Sequence, residues 1–295
     1  MRFSERMGLT PVRSVLQIDD IDAGLRNKLW NVTRPRLHST AYDDYDADFL
    51  GNDNGIESLF FELWHDFFKL PSDNIGTSYS RPLATVRKHF LECEWHTVYD
   101  LIQFLADSDL GYGTSDSYNR RGYSSRSAFI TACNEVLKQE LSGYRFVSGK
   151  LVQITGEDEV AAIEQALGLP DPLKPVTTHL RQALTLLADR KTPDYRNSIK
   201  ESILAVESLC KLLSGLPTAT LGPALKAVEK STALHPALKE AFGNLYGYTS
   251  DADGIRHALL DEPTLDLEDA KFMLVSCSAF VNYMVIKAQK AGITL

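Results

Sequence analysis

Three prolines within six residues, in Gly168-Leu-Pro170-Asp-Pro172-Leu-Lys-Pro175, constrain this chain more than any other feature. Each proline removes an amide donor and biases the residue before it away from helix, so no regular element is expected to cross the segment. It reads as a stiff linker dividing the 295 residues into parts 1–168 and 176–295, each long enough for one domain. The charge balance differs between the two parts. Residues 1–175 hold 18 Lys+Arg and 26 Asp+Glu, whereas residues 176–295 hold 13 of each. A net charge of −8 argues against a general nucleic-acid coat. Any nucleic-acid contact must be local, and the second part repels it less.

Hydrophobic periodicity is mainly helical. Before the prolines, Ile21–Trp30, Ile56–Leu70, Val86–Leu105 and Ser127–Glu140 read as amphipathic helices, the first capped by Asp19-Asp20. Tyr144–Ile154 reads as two short strands turning at Ser148-Gly149. A further helix, with Thr155 as its cap and acids in its first turn, is expected through Leu167. After the prolines, Tyr195, Ile199, Ile203, Val206, Leu209 and Leu213 form one stripe, Leu221–Lys230 and Pro236–Tyr246 a broken second arm, and Asp266–Lys290 a long apolar helix. The expected fold is mainly α: a helical domain with a small β-hairpin, then an antiparallel helical bundle.

Cys93, Cys133, Cys210 and Cys277 lie far apart, with no zinc-finger spacing, and read as reduced, mostly buried thiols. The start, Met1-Arg-Phe-Ser-Glu-Arg-Met-Gly, has no apolar signal region. The apolar stretch 272–286 falls short of the roughly 20 residues that span a bilayer. No membrane association and a cytoplasmic location are therefore expected.

Two stretches carry a family likeness. Phe3-Ser-Glu-Arg6, Pro11-Val-Arg13, Leu25-Arg-Asn-Lys-Leu-Trp30 and Tyr144–Ile154 resemble the amino-terminal domain of AbiJ-type abortive-infection proteins, over most of residues 1–168. Tyr195–Ser202 with Val206-Glu207, Gly254-Ile-Arg256-His257-Ala, and 270–283 resemble the HEPN-like domain such proteins often carry. The resemblance implies a bundle that dimerises, often a metal-independent ribonuclease, and a role in limiting phage growth. HEPN ribonucleases usually separate Arg and His by four to six residues. Here Arg256 and His257 are adjacent, and successive helical side chains diverge by about 100°. In a loop, or across a dyad between two protomers, the two groups can still converge.

Cleaving RNA without a metal needs a proton carrier for the 2′-OH and leaving oxygen, and a cation on the phosphoryl oxygens. His257 and Arg256 supply those residue types. Asn197, Glu201, Glu207 and Asp253 are candidate supporting residues, although Glu201 is expected to pair with a solvent-side lysine. Tyr246 and Tyr248 are candidates for stacking a base, and Arg120, Arg121 and Arg126 form a basic, tyrosine-interleaved patch in the first part. The acidic run 43–57 spaces Asp46, Asp48, Gly51 and Glu57 as a calcium loop would, but Leu50 takes a ligand position, so a solvated loop is expected.

No cofactor or metal is expected. The partners expected are RNA, with tRNA among the candidates, a second copy through the carboxy-terminal bundle, and a phage-derived trigger. Residues 1–168 would sense or regulate and residues 176–295 would act. The alternative is a non-catalytic bundle that dimerises and binds RNA or a phage protein.

Overall fold

The structure is a computed structural model describing residues 3–7, 15–37, 54–110, 125–189, 192–251 and 265–293. The chain divides into two compact units, Met1–Gln153 and Ile154–Leu295. Both are helical, and the described residues hold one two-stranded sheet.

The first unit contains α1 (Phe3–Arg6), α2 (Ala23–Arg36), α3 (Asn54–Glu62), α4 (Ser80–Glu92), α5 (Trp95–Asp107) and α6 (Arg126–Gln139), then strands β1 (Arg145–Val147) and β2 (Lys150–Val152). Asp22, rather than Asp19 or Asp20, caps α2: its carboxylate accepts from Leu25 N–H at 2.7 Å. After α3 the chain widens into a π turn over Leu63–Phe67, where Phe68 N–H donates to Leu63 O five residues back. The single helix expected over 86–105 is two. Cys93 is extended (φ −73°, ψ 167°) and ends α4 before Trp95 starts α5. The hairpin turns where expected, with Ser148 and Gly149 both at positive φ (48° and 83°), the backbone a tight two-residue turn requires. Leu25, Leu29, Trp30, Phe60, Trp64, Phe90, Leu101 and Phe129 fill the core.

Arginines close helix ends in both units. Arg26 Nη1 donates to Phe90 O and Cys93 O at the end of α4, each at 2.8 Å. Arg36, fully buried, donates from Nε to Leu105 O (3.3 Å) and from Nη2 to Ser108 O (3.0 Å) at the end of α5. The last carbonyls of a helix lack intrahelical donors and carry partial negative charge, so a guanidinium there satisfies both needs. This is how α2 accommodates Arg36 as a buried cation.

The second unit contains α7 (Glu157–Leu167), α8 (Lys174–Ala188), α9 (Tyr195–Ser214), α10 (Leu221–Thr232), α11 (Pro236–Asp251) and α12 (Leu267–Lys290). Gly156, not Thr155, is the N-cap of α7 and offers no side chain. The prolines are not an extended linker between compact units. Asp171–Leu173 forms one 3₁₀ turn, and Pro175 sits in the first turn of α8, where its missing N–H is unpaired in any helix. Val176, Leu180, Ala183, Leu184 and Leu187 then bury one face of α8 against α9. Since α7 packs on α12 and α8, with Asn282 Nδ2 donating to Ala162 O at 2.8 Å and Arg181 Nη2 to Leu167 O at 3.2 Å, it belongs to the second unit.

Helix α12 starts in a reciprocal cap: Asp266 accepts from Asp269 N–H and Asp269 from Asp266 N–H, both at 3.1 Å. Asp266→Ala removes one arm, and a loss of about 1 kcal/mol is expected in chemical unfolding followed by circular dichroism. By length and composition α12 is apolar enough to cross a membrane, but 56% of its most apolar window is buried among its own neighbours. It is the spine of the bundle, packed on α7, α8 and α9, with Phe280 stacked on Phe242 of α11 at 3.6 Å between ring centroids. Cys133, Cys210 and Cys277 are buried free thiols, and burial pushes Cys210 and Cys277 up to about 12.

Candidate functional site

Arg256, His257 and Asp253 lie outside the described residues, in the stretch that joins α11 to the capped start of α12. Tyr246 is half-buried on α11, and Tyr248 follows it on the same helix, its side chain outside what is described.

The supporting residues on α9 do not converge. Asn197 is part of the helix start: its N–H donates to Asp194 Oδ1 at 3.0 Å and its Nδ2 to Asp194 Oδ2 at 2.6 Å. Glu207 is buried, and its Oε1 meets Lys211 Nζ one turn on, at 2.7 Å. Six residues separate Glu201 from Glu207, so the two carboxylates point about 120° apart around the helix axis.

Glu201 does not pair with a lysine. Its Oε2 lies 2.7 Å from His179 Nδ1 on α8, with side chains 20% and 31% exposed respectively. One turn along, Ser198 Oγ donates to Ala183 O at 2.8 Å, and Ser202 Oγ donates to Ser198 O at 2.9 Å. These contacts fix α8 and α9 antiparallel, with small side chains between them. In the tautomer that donates from Nδ1, the carboxylate orients the ring and leaves Nε2 as an acceptor. His179 gave no signal in the sequence reading. The pair is 22 residues apart in the chain and visible only once a helix is placed over 174–188.

In the first unit, Arg126 is engaged in fastening the hairpin. Its Nη2 meets Asp107 Oδ1 at 2.8 Å while Lys150 Nζ meets the other carboxylate oxygen at 3.3 Å. The guanidinium covers Gly149, where an added Cβ would fall 2.9 Å from Nη2. Arg120 and Arg121 lie outside the described residues, as do Asp46, Asp48 and Gly51 of the acidic run; Glu57 is in α3. Among the described residues no three His, Cys, Asp or Glu side chains gather as a metal would need.

The family model described as AbiJ N-terminal domain 4 matches residues 1–168. The match runs through the first unit and takes in α7, which packs with the second. No curated protein and no solved structure matches the chain. That domain brings an association with abortive infection, and by this match over more than half of its length the chain belongs to the AbiJ N-terminal domain 4 family.

Proposed function

We propose that this protein is an abortive-infection, anti-phage effector, in which residues 1–168 sense or regulate and residues 176–295 form a HEPN-like bundle that dimerises and cleaves RNA without a metal. The observation that carries the reading is the AbiJ domain standing ahead of a second helical unit. In this reading Arg256 holds the phosphoryl oxygens, His257 moves the proton, Asp253 supports them, and Tyr246 and Tyr248 stack a base. Transfer RNA is among the candidate substrates, and a phage-derived component is the trigger.

Dimerisation has support on α12. Its outward face carries Phe272 (58% exposed), Ala279, Tyr283 (38%) and Ile286 (44%), an apolar stripe at helical spacing. Two copies meeting there would bring two Arg256-His257 segments to one assembly. Phe272→Glu with Ile286→Glu is expected to convert a dimer to a monomer in sedimentation equilibrium with the melting temperature unchanged; a dimer that persists removes this face from the account.

The test of function is phage plating on cells carrying wild-type protein, His257→Ala, or the α12 double change. Protection lost in both variants, with cellular RNA degraded only by wild type, is the expected result. A second reading, a binding module without catalysis, is favoured by the local engagement of Asn197, Glu201 and Glu207. Under it, protection survives His257→Ala and fails in the α12 variant.

A further inference from the structure

We propose that the cleft between α2 and α4 of the first unit is a binding site for a phosphate-bearing ligand of nucleotide size. The cleft encloses about 500 Å³ and is lined by Trp30, Asn31 and Arg34 on one wall and by Tyr79, Ser80, Leu83, Ala84 and Arg87 on the other. That volume lies within the range of small-molecule sites, which join an apolar lining to a few placed polar groups.

The two walls run antiparallel. Arg26 reaches Cys93 O at one end, Trp30 packs on Phe90 at 5.4 Å, and Tyr79 Oη donates to Leu37 O at the other end, at 2.6 Å. Matching positions along that pairing sets Arg87 level with Trp30 and Asn31, and Arg34 level with Leu83. The two guanidiniums therefore stand on opposite walls, about one helical turn apart.

Charge singles the cleft out. The first 175 residues are strongly acidic, yet α2 and α4 together hold seven Lys or Arg and a single acid, Glu92. On α2 the other cations have structural work: Arg26 and Arg36 close helix ends and Lys28 pairs with Glu140. Arg34 and Arg87 are both exposed, and neither guanidinium has a hydrogen-bond or carboxylate partner among the described residues. Two uncommitted arginines facing each other in a concavity repel unless an anion lies between them, and the guanidinium fork matches phosphate oxygens in pairs. Asn31 and Ser80 add neutral hydrogen-bonding groups, while Trp30 on one wall and Leu83 and Ala84 on the other give apolar surface against which a base can lie.

A free nucleotide and the 5′ end of an RNA present the same chemistry, and binding measurements separate them. The full chain is titrated with ATP and with a 5′-phosphorylated five-nucleotide RNA, each with inorganic pyrophosphate as competitor, beside Arg34→Gln, Arg87→Gln and the double variant. We expect at least one probe to bind and to be displaced by pyrophosphate. Each single change should weaken binding about tenfold and the double change should abolish it, with melting temperatures unchanged because both side chains are exposed. Tighter ATP identifies a nucleotide site, and tighter RNA identifies a strand-end site. The proposal is overturned if neither probe binds wild type, or if the double variant binds as tightly as wild type. His257→Ala retains this binding whatever its effect on RNA cleavage, so the two proposals fail separately.

Discussion

Arg36→Ala is expected to destabilise the first unit by about 3–5 kcal/mol, the largest stability effect of any single change considered for this chain. The side chain is 1% exposed and its guanidinium bridges Leu105 O and Ser108 O where α5 ends. Truncation takes this donor away from Leu105 O, on a buried residue, and from Ser108 O, on a half-buried one, at roughly 1–3 kcal/mol for a buried group left unsatisfied. It also opens a cavity the size of the lost side chain. Arg36→Lys keeps the charge but presents one compact donor group in place of a planar fork, so it should recover only part of the loss. Tryptophan fluorescence reports on the right unit, because Trp30, Trp64 and Trp95 all lie within it. A shift of less than about 1 kcal/mol in urea unfolding would show that these carbonyls find other partners.

The same residue shows where sequence reading stops. Arg36 lies in a polar stretch, Thr33-Arg-Pro-Arg36, that offers no hint of burial, and its acceptors are about 70 residues away. By contrast, elements whose signals are local were legible. The stripe of α9, the long apolar run of α12 and the Ser148-Gly149 turn each rest on neighbours a few residues apart, and each appears where expected. The break between α4 and α5 carries no glycine or proline; a carbonyl held by Arg26 from another helix helps to fix it. Helix α8 was hidden for the opposite reason. Proline at a helix start and proline in a linker look alike in sequence, and only the apolar face from Val176 to Leu187 separates them. Without α8, no local signal in the sequence marks His179 or its pairing with Glu201.

His257→Ala is expected to have the largest functional effect. If His257 carries the proton in RNA cleavage and Arg256 neutralises the phosphoryl charge, removal of the imidazole takes away the group that titrates near neutral pH, and general acid–base catalysis is worth about 10²–10⁴-fold. No shift in melting temperature is expected. Arg256→Lys should retain part of the activity, since a point charge still attracts phosphate but without paired hydrogen bonds. The His179–Glu201 pair provides an internal comparison. It sits between α8 and α9, so His179→Ala should affect stability more than turnover if its role is to hold those helices.

The measurement that tests the central claim most directly is cleavage of total RNA and purified tRNA by the full chain in EDTA, with the His257→Ala protein assayed in parallel. Cleavage by the wild type that persists in EDTA and disappears in the variant is the result predicted here. Equal cleavage by both proteins, or cleavage by the wild type that EDTA abolishes, would contradict it.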